Sequence, residues 1–297
     1  MKKLLVTGGS GLLGSKIACL GMKNFEVVAT CNRNPVKTDY ALIPLDITQK
    51  EAVMREIQKI RPDYVIHTAA LTDVDYCEDH RKEAREINVD GTRNVAFACR
   101  ELGIRMIYVS TDAVFDGKKG LYRENDPVNP VNYYGRTKLE GERAIERLDL
   151  DYTVARISVL YGWNVKERLN FVTWLIKELK AGNNVNIFVD QWNSPTFADN
   201  CAAMLLKLME KGSQGIYHAS GKERISRFDF ALKIAAAFKL DKGLIKPVYS
   251  SDFRQKAKRA SDSSLDVSKI EKELKTKPFD VVQGLSHMRK QFKFKIE

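Results

Sequence analysis

The sequence predicts an α/β fold in which a doubly wound parallel sheet carries helices on both faces. In the first half of the 297-residue chain, short apolar runs alternate with stretches of helical spacing that are ten or more residues long. Connections of that length join parallel strands, and right-handed crossovers arrange such strands as a doubly wound sheet. A cluster of glycines directly after the first apolar run also favours this class.

The individual elements follow from apolar periodicity. Five strands are predicted from apolar or valine-rich runs, at Leu4–Thr7, Glu26–Thr30, Ala41–Leu45, Tyr64–Thr68 and Arg105–Val109. Helical spacing predicts helices at Leu12–Met22, Thr48–Ile60 and 81–102 and, where the alternation loosens, at Phe171–Leu179 and Phe228–Phe238. Thr48 is expected to cap the second helix, because Glu51 three residues later completes a capping box.

The glycine cluster has the pattern G-x-x-G-x-x-G between the first strand and the first helix. Glycines let the backbone turn sharply and approach a pyrophosphate, and a helix N-terminus offers free N–H groups and the positive end of its dipole. A tight turn alone would also explain glycine, but the position at the first strand-to-helix junction favours a dinucleotide site. We therefore predict a Rossmann-like fold that binds NAD(P) through Gly8, Ser10, Gly11, Leu12, Leu13 and Gly14.

The end of the second strand indicates which nicotinamide cofactor is bound. NAD-binding versions place an acidic residue there to hold the ribose hydroxyls, whereas residues 30–34 are Thr-Cys-Asn-Arg-Asn. Asn32 and Arg33 are expected to meet a 2′-phosphate, which favours NADP over NAD; the alternative is that Arg33 is merely exposed. The next strand ends are expected to complete the cofactor site, with Asp46 and Ile47 beside the adenine and Ala69, Ala70 and Leu71 beneath the ribose.

These signals predict two domains. Residues 1–160 are expected to form the NAD(P)-binding domain, with a return of the chain near 184–210. Residues 161–297 are expected to form mainly a smaller C-terminal α/β domain that covers the carboxyl edge of the sheet and binds the substrate.

Composition narrows the classes of partner. Lys and Arg outnumber Asp and Glu by 49 to 38, a net charge of +11, which favours anionic partners such as a phosphorylated small molecule. The five cysteines are odd in number and form no C-x-x-C pair, which indicates reduced thiols, a cytoplasmic location and no metal site. No apolar run approaches the roughly 18 residues of a membrane span, and no nucleic-acid-binding motif accompanies the basic runs.

A second constellation, Tyr134-Gly-Arg-Thr-Lys138, places a phenol and an ammonium four residues apart on one helix face. A nearby ammonium lowers a tyrosine pKa that starts near 10, so that Tyr134 could transfer a proton at neutral pH. The spacing alone is common by chance. The context of the pair favours a catalytic role, because Ser110 and Thr111 end the strand upstream and bring a hydroxyl to the same crevice. Tyr133 is five residues from Lys138 and faces elsewhere.

These motifs resemble those of the extended short-chain dehydrogenase/reductases, and within them the dTDP-4-dehydrorhamnose reductases. The resemblance is carried by the glycine cluster, by Ser110-Thr111-Asp112 and by Tyr134-x-x-x-Lys138. Supporting runs extend it over nearly the whole chain: RPD at 61–63, AALTDVD at 69–75, INV at 87–89, VFDG at 114–117, YGRTKLEGE at 134–142, Pro195-Thr196 and Arg259-x-x-x-Ser263-x-Leu265.

The resemblance implies an NADPH-preferring reductase of a dTDP-linked 4-keto-6-deoxyhexose. It implies that Tyr134 is the general acid that protonates the C4 oxygen, and that Lys138 lowers the pKa of Tyr134 and holds the nicotinamide ribose. It further implies that Thr111 hydrogen-bonds the same oxygen and that Asp112 lies beside the sugar. The ligands it implies for the nucleotide diphosphate or base are Asn170, Gln191, Thr196 and Arg259.

The chain departs from the family pattern on the substrate side, at Ala113, Val159 and Ala260, where tyrosine, tryptophan and proline are usual. Two alternatives stay open. One is an NADP-binding regulatory subunit resembling the β subunit of methionine adenosyltransferase, to which Leu121–Glu124 and Ile157-x-x-Leu160-Tyr161-Gly162 are similar. The other is a different nucleotide-sugar epimerase or reductase. The expected partner is a nucleotide sugar, with no nucleic acid, no membrane and no metal; a homodimer is left open.

Overall fold

The computed structural model describes residues 1–32, 35–164 and 168–293, and a parallel sheet organises them. In chain order the strands are β1 (Lys3–Thr7), β2 (Glu26–Cys31), β3 (Ala41–Pro44), β4 (Tyr64–His67), β5 (Arg105–Thr111), β6 (Tyr152–Ile157), β7 (Leu160–Tyr161), β8 (Val185–Phe188), β9 (Trp192–Asn193), β10 (Thr196–Phe197), β11 (Gly215–His218), β12 (Ile225–Ser226) and β13 (Ile245–Val248).

Helices connect and cover these strands. They are α1 (Leu12–Gly21), α2 (Lys50–Ile60), α3 (Val74–Asp79), α4 (Arg81–Arg85), α5 (Thr92–Glu101), α6 (Tyr133–Glu146), α7 (Phe171–Lys180), α8 (Ala198–Lys211), α9 (Arg227–Phe238), α10 (Ser268–Leu274) and α11 (Val281–Lys293). A π-helical turn, Glu86–Gly91, joins α4 to α5, and short 3₁₀ turns lie at Asp112–Val114, Lys242–Leu244 and Ser250–Asp252.

The main sheet has the strand order β11-β6-β5-β4-β1-β2-β3, and every neighbouring pair in it is parallel. The chain first builds outward from β1 to β3 and then continues on the other side of β1 with β4. The predicted fold class, a Rossmann-like doubly wound parallel sheet, is confirmed. In such a sheet, ligands bind outside the carboxyl ends of the strands at the point where the order reverses, which here lies between β1 and β4.

Apolar residues on both faces of the strands explain why the sheet is buried. In β1, Leu4 and Val6 face a core shared with α1 and α8, whereas Leu5 faces a second core shared with α2 and α5. All seven residues of β5 are buried. The strand ends are therefore held rigidly, and the loops that follow them are the parts free to form a site.

The second half of the chain both returns to the sheet and builds a core of its own. The helix α8 packs against α1, and β11 extends the sheet beside β6. The helices α7, α9 and α11 pack together around Leu175, Phe230 and Leu285, next to the parallel pair β8 and β13. The predicted domain boundaries stay a prediction.

Two helices differ from expectation. The helix that Thr48 was expected to cap begins at Lys50, because the Asp46 carboxylate accepts hydrogen bonds from the Thr48 N–H (3.0 Å) and the Thr48 hydroxyl (2.8 Å), and Gln49 takes the N-cap position. The continuous helix expected over 81–102 is interrupted by the π-helical turn. Within the described ranges, no helix combines the length and apolar character needed to cross a membrane.

Candidate active site

A cavity of about 760 Å³ runs along the carboxyl ends of the parallel strands. It begins at the glycine cluster after β1 and passes the ends of β2, β4 and β5, where the strand order reverses. The predicted site residues that line it are Gly8, Ser10, Gly11, Leu12, Leu13, Gly14, Asn32, Ile47, Ala69, Ala70, Leu71, Thr111, Asp112, Tyr134, Lys138, Asn170, Gln191 and Arg259. Arg33, the residue expected to meet a 2′-phosphate, lies outside the described residues.

The glycine cluster forms a compact loop that opens α1. Gly8 has a φ of +72°, and its carbonyl accepts a hydrogen bond of 2.9 Å from the Gly11 N–H. A Cβ on Gly14 would lie 2.3 Å from the Gly8 oxygen, so only glycine lets the helix approach the loop this closely. Leu12 and Leu13, in the first helical turn, line the cavity with backbone N–H groups that have no acceptor within the helix. This cradle fits the pyrophosphate of a dinucleotide.

Asn88, which has no predicted role, connects two segments at this end of the cavity. Asn88, in the π-helical turn, accepts a hydrogen bond from the Leu71 N–H (2.8 Å) and donates to the Leu71 carbonyl (3.0 Å) and to the Thr137 hydroxyl (3.0 Å). Asn88 thereby ties the loop after β4 to α6. The sequence run at 87–89 carried the family resemblance, but nothing in it indicated this contact.

Asp46 is a correction to the predicted cofactor site. Its carboxylate turns to the N–H and hydroxyl of Thr48, and Asp46 does not line the cavity. Ile47 does line it, and the Ile47 carbonyl is fixed by a 3.0 Å hydrogen bond from the Asn94 amide. A carboxylate at the end of a strand can satisfy the next turn of its own chain, which sequence position alone does not reveal.

Packing at the start of α6 brings Tyr134 to Thr111. The Asn132 side chain caps the helix by accepting a 2.8 Å hydrogen bond from the Gly135 N–H. A Cβ on Gly135 would lie 2.2 Å from the Ala113 carbonyl oxygen, so the helix start can approach the end of β5 only because residue 135 is glycine. The Tyr134 phenol and the Thr111 hydroxyl interact electrostatically there, and both residues line the cavity.

The electrostatics of Tyr134 differ from expectation. Desolvation raises the pKa of Tyr134, the interaction with the Thr111 hydroxyl lowers it, and the nearby Asp112 raises it. The predicted lowering of this pKa by Lys138 is therefore wrong for the described residues. The reason is geometric: the Lys138 ammonium donates a 2.8 Å hydrogen bond to the Val109 carbonyl and lies 4.1 Å from the centre of the Tyr108 ring. The phenol is thus protonated at neutral pH.

Lys138 is itself perturbed. It is 3% exposed, and desolvation lowers its pKa to about 7, while Glu142, one helical turn further along α6, raises it. Glu142 lies in a buried network, because it accepts 3.0 Å and 2.7 Å hydrogen bonds from the Arg156 guanidinium and a further short hydrogen bond from the Ser110 hydroxyl. The ammonium therefore faces a carboxylate that β5 and β6 hold in place.

Asp112 links three segments around the reactive hydroxyls. Its carboxylate accepts hydrogen bonds from Ser158 (2.7 Å), Ser263 (2.6 Å) and Thr111 (3.1 Å). Burial raises the pKa of Asp112, whereas these three hydroxyl contacts lower it. In the sequence, Ser263 belongs to the supporting run Arg259-x-x-x-Ser263-x-Leu265 and has no predicted role; the structure shows that it joins the C-terminal part of the chain to Asp112, directly after β5.

The predicted substrate residues are engaged with the protein to different degrees. Arg259 lines the cavity, but both of its terminal nitrogens lie 2.9 Å from the Asp75 carboxylate, which also accepts the Ala257 N–H at 2.9 Å. The Gln191 amide donates to Gln255 at 3.1 Å. Asn170 caps α7 by accepting from the N–H groups of its first turn.

Thr196 is a second correction. It was expected among the substrate ligands, but it is fully buried in β10 and does not line the cavity. Its hydroxyl donates to the Ser194 carbonyl at 3.0 Å and accepts the Gly221 N–H at 3.1 Å. Thr196 therefore stabilises the fold beneath the site.

The cavity also contains a cation that the sequence did not single out. Arg227, at the start of α9, lines the cavity near Arg259 and Asp112. It follows a capping serine in an ordinary amphipathic helix, so no motif distinguishes it from a solvent-facing arginine. In the described ranges, no three His, Cys, Asp or Glu side chains group together as a metal site would require.

Comparisons with known proteins agree with this geometry. Residues 1–294 match the family model described as RmlD substrate binding domain. The dTDP-4-dehydrorhamnose reductase of Aggregatibacter actinomycetemcomitans is 33% identical over 97% of this chain and 99% of its own. Methionine adenosyltransferase 2 subunit beta of Bos taurus is 32% identical over 91% of this chain and 82% of its own.

A solved structure extends the similarity to three dimensions. The dTDP-4-dehydrorhamnose reductase of Bacillus anthracis, determined in complex with NADP, superimposes with a TM-score of 0.86 at 31% identity, covering 98% of this chain and all of the other.

Proposed function

This chain belongs to the RmlD substrate binding domain family, and we propose that it is an NADPH-preferring reductase of a dTDP-linked 4-keto-6-deoxyhexose, of the dTDP-4-dehydrorhamnose kind. The predicted family and the predicted enzyme class, an NAD(P)-dependent oxidoreductase of nucleotide sugars, are confirmed. The identity of the sugar, the preference for NADPH and the roles of individual residues are the proposal.

One observation carries the proposal. A protonated phenol, Tyr134, lies near Thr111 and one helical turn from a buried lysine, in the same cavity as the glycine loop. A reductase needs a proton donor beside the carbonyl that receives a hydride, together with a site that orients the hydride donor. When bound, the reduced nicotinamide supplies that hydride.

Each polar residue of the site has its own role in the proposed reduction. Tyr134 donates its proton to the carbonyl oxygen, and its raised pKa suits this role because an alkoxide is more basic than a phenolate. The Thr111 hydroxyl, which donates its one proton to Asp112 in the structure, turns that proton to the same oxygen when the substrate binds. Lys138, in its protonated form, holds the ribose next to the nicotinamide.

The cofactor side supports NADPH over NADH. Residues 30–34 contain no carboxylate to hold a ribose 2′-hydroxyl, Asp46 is directed to Thr48, and Asn32 lines the cavity at the end of β2. We assign the 2′-phosphate to Asn32 and Arg33. Residues 1–160, with the return near 184–210, would hold the cofactor, and residues 161–297 would supply most of the substrate side.

The test is a panel of dTDP-, UDP- and GDP-linked 4-keto sugars, each supplied with NADPH or NADH and followed by the absorbance of the reduced cofactor. We expect oxidation of NADPH with a dTDP-linked substrate. Replacing Tyr134 with Phe should lower turnover by about 10²- to 10⁴-fold and leave NADPH binding unchanged. Tyr133→Phe, on the adjacent residue, is the matched control. Equal turnover in wild type and Tyr134→Phe would reject the assigned acid.

The similarity to the β subunit of methionine adenosyltransferase favours a second candidate, an NADP-binding regulatory subunit. In that case no sugar nucleotide in the panel would oxidise NADPH, and the chain would form a stable complex with the catalytic subunit of that synthetase. Size-exclusion chromatography of the two purified proteins, run beside the oxidation assay, separates the candidates.

A further inference from the structure

The Arg227 backbone is fixed firmly at the wall of the cavity. Its N–H donates a 2.9 Å hydrogen bond to the Gln191 carbonyl. The preceding residue, Ser226, caps α9 by accepting the Asp229 N–H at 3.0 Å, and its hydroxyl donates to the Asp229 carboxylate at 2.6 Å. Arg227 is therefore presented to the cavity by a rigid helix start rather than by a mobile loop.

The guanidinium of Arg227 is the unusual feature. It lies over the Phe171 ring at 5.0 Å, yet it makes no hydrogen bond or ion pair with any residue that the structure describes. The two neighbouring arginines differ, since Arg224 is paired with Asp262 at 2.6 Å and Arg259 with Asp75 at 2.9 Å. A guanidinium has five N–H donors, so Arg227 retains its full capacity to bind an anion.

The charged groups around Arg227 also favour the binding of an anion. Desolvation and the positive charge of Arg259 lower the pKa of Arg227 to about 10, so the side chain is still protonated at neutral pH. Asp112 is the carboxylate that raises this pKa, but its oxygens already accept hydrogen bonds from Thr111, Ser158 and Ser263. A partly buried cation without a partner is unfavourable, and a bound anion would remove that penalty.

We propose that Arg227 is the principal anion-binding residue of the substrate site and holds the diphosphate of the nucleotide sugar. This inference rests on the proposed function and refines it. Arg259, which the sequence suggested for this role, is held by Asp75 and contributes positive charge rather than its hydrogen-bond donors.

The position of Arg227 favours a substrate phosphate over a cofactor phosphate. The pyrophosphate cradle at Gly8–Gly14 and the proposed 2′-phosphate position at Asn32 follow β1 and β2. Arg227 instead begins α9 and interacts electrostatically with Asp112, next to Thr111. A phosphate there is held beside the reacting sugar, and the planar fork of a guanidinium matches phosphate oxygens in a bidentate manner.

The experiment compares thymidine, dTMP and dTDP binding to NADPH-loaded enzyme by isothermal titration calorimetry. Wild type should bind more tightly with each added phosphate. Arg227→Met should weaken dTDP binding by about 10- to 100-fold and raise the KM for the keto sugar by a similar factor. Binding of thymidine and of NADPH should stay unchanged. Arg227→Lys retains the positive charge but not the planar guanidinium, so its affinity for dTDP should lie between those of wild type and Arg227→Met. This variant also tests the inference if the Met variant does not fold.

Arg224→Met is the matched control, because Arg224 is close in the chain, paired with Asp262 and outside the cavity lining. It should bind dTDP as wild type does. If wild type binds dTDP and Arg227→Met binds it equally well, this inference is overturned and the proposed function stands. If wild-type enzyme binds none of dTDP, UDP and GDP, both are overturned.

Discussion

Replacing Gly14 with alanine should damage the cofactor site through a single contact. The added Cβ would lie 2.3 Å from the Gly8 oxygen and 2.9 Å from the Thr68 hydroxyl oxygen. An ordinary carbon–oxygen contact is at least about 3.3 Å, so the helix start and the loop must separate by about 1 Å. Overpacking of this kind costs about 1–3 kcal/mol. Because the Gly8 carbonyl belongs to the loop that forms the pyrophosphate cradle, we expect most of this penalty to appear in cofactor binding.

The expected change in the Kd for NADPH is about 5- to 150-fold, since about 1.4 kcal/mol corresponds to a factor of ten. Fluorescence titration of NADPH measures the Kd, and urea unfolding shows how much of the penalty the fold takes up. Gly21→Ala is the matched control on the same helix, because its Cβ would meet only side-chain atoms, Leu4 Cδ2 at 3.2 Å and Val27 Cγ2 at 3.3 Å. If Gly14→Ala changed neither the Kd nor the unfolding free energy, the assigned cradle would be wrong.

Three further predictions concern the buried charges of α6. The value of kcat/KM should fall as the pH rises through about 7, because desolvation brings the pKa of Lys138 to about 7 and its ammonium is lost above that pH. The variant Lys138→Arg, which stays charged, should not show this fall. If kcat/KM of the arginine variant fell in the same pH range, the assignment to Lys138 would be contradicted. The free energy of unfolding should change in the opposite direction, since the pKa of Lys138 is 10.5 when exposed and its burial therefore becomes more favourable as the pH rises from about 7 to 10.5. Glu142→Gln removes the carboxylate partner of Arg156 and should lower the free energy of unfolding by about 3–5 kcal/mol in urea. Glu140, also in α6, forms an exposed ion pair with Arg85 of α4. Glu140→Gln should therefore change the free energy of unfolding by no more than about 1 kcal/mol, and equal effects of the two variants would refute the burial argument.

The sheet and the cofactor side were predictable because their signals are local. Apolar runs and their spacing fix the strands and the helices between them, and the glycine pattern at Gly8–Gly14 follows directly from what a tight strand-to-helix junction requires. The meeting of Tyr134 with Thr111 was also predicted, since both lie at the carboxyl edge of adjoining segments. These inferences need only the period of each element and the direction of parallel strands.

The errors concern side chains that have a choice of partner. Asp46 could have faced the cavity or the next turn, and it satisfies Thr48. Thr196 could have been a ligand, but its hydroxyl bonds the Ser194 and Gly221 backbone. The pKa of Tyr134 was expected to follow Lys138, whereas desolvation raises this pKa and the Lys138 ammonium is directed to the Val109 carbonyl. In each case the outcome depends on which neighbours the fold brings within reach, whether two residues away, as Thr48 is from Asp46, or far along the chain, as Gly221 is from Thr196, and periodicity does not encode that choice.

Gly135 shows where a stronger sequence signal for the site lies. A tyrosine and a lysine four residues apart occur on many helices, so the pair alone does not distinguish a reactive phenol from a packed one. In this chain the helix can bring Tyr134 to the end of β5 only because the next residue has no Cβ to meet the Ala113 oxygen. Gly14 has the same relation to the Gly8 oxygen at the start of α1. The helices α1 and α6 thus each approach a strand end through a glycine, and this makes the glycine beside the tyrosine as informative as the lysine that follows it.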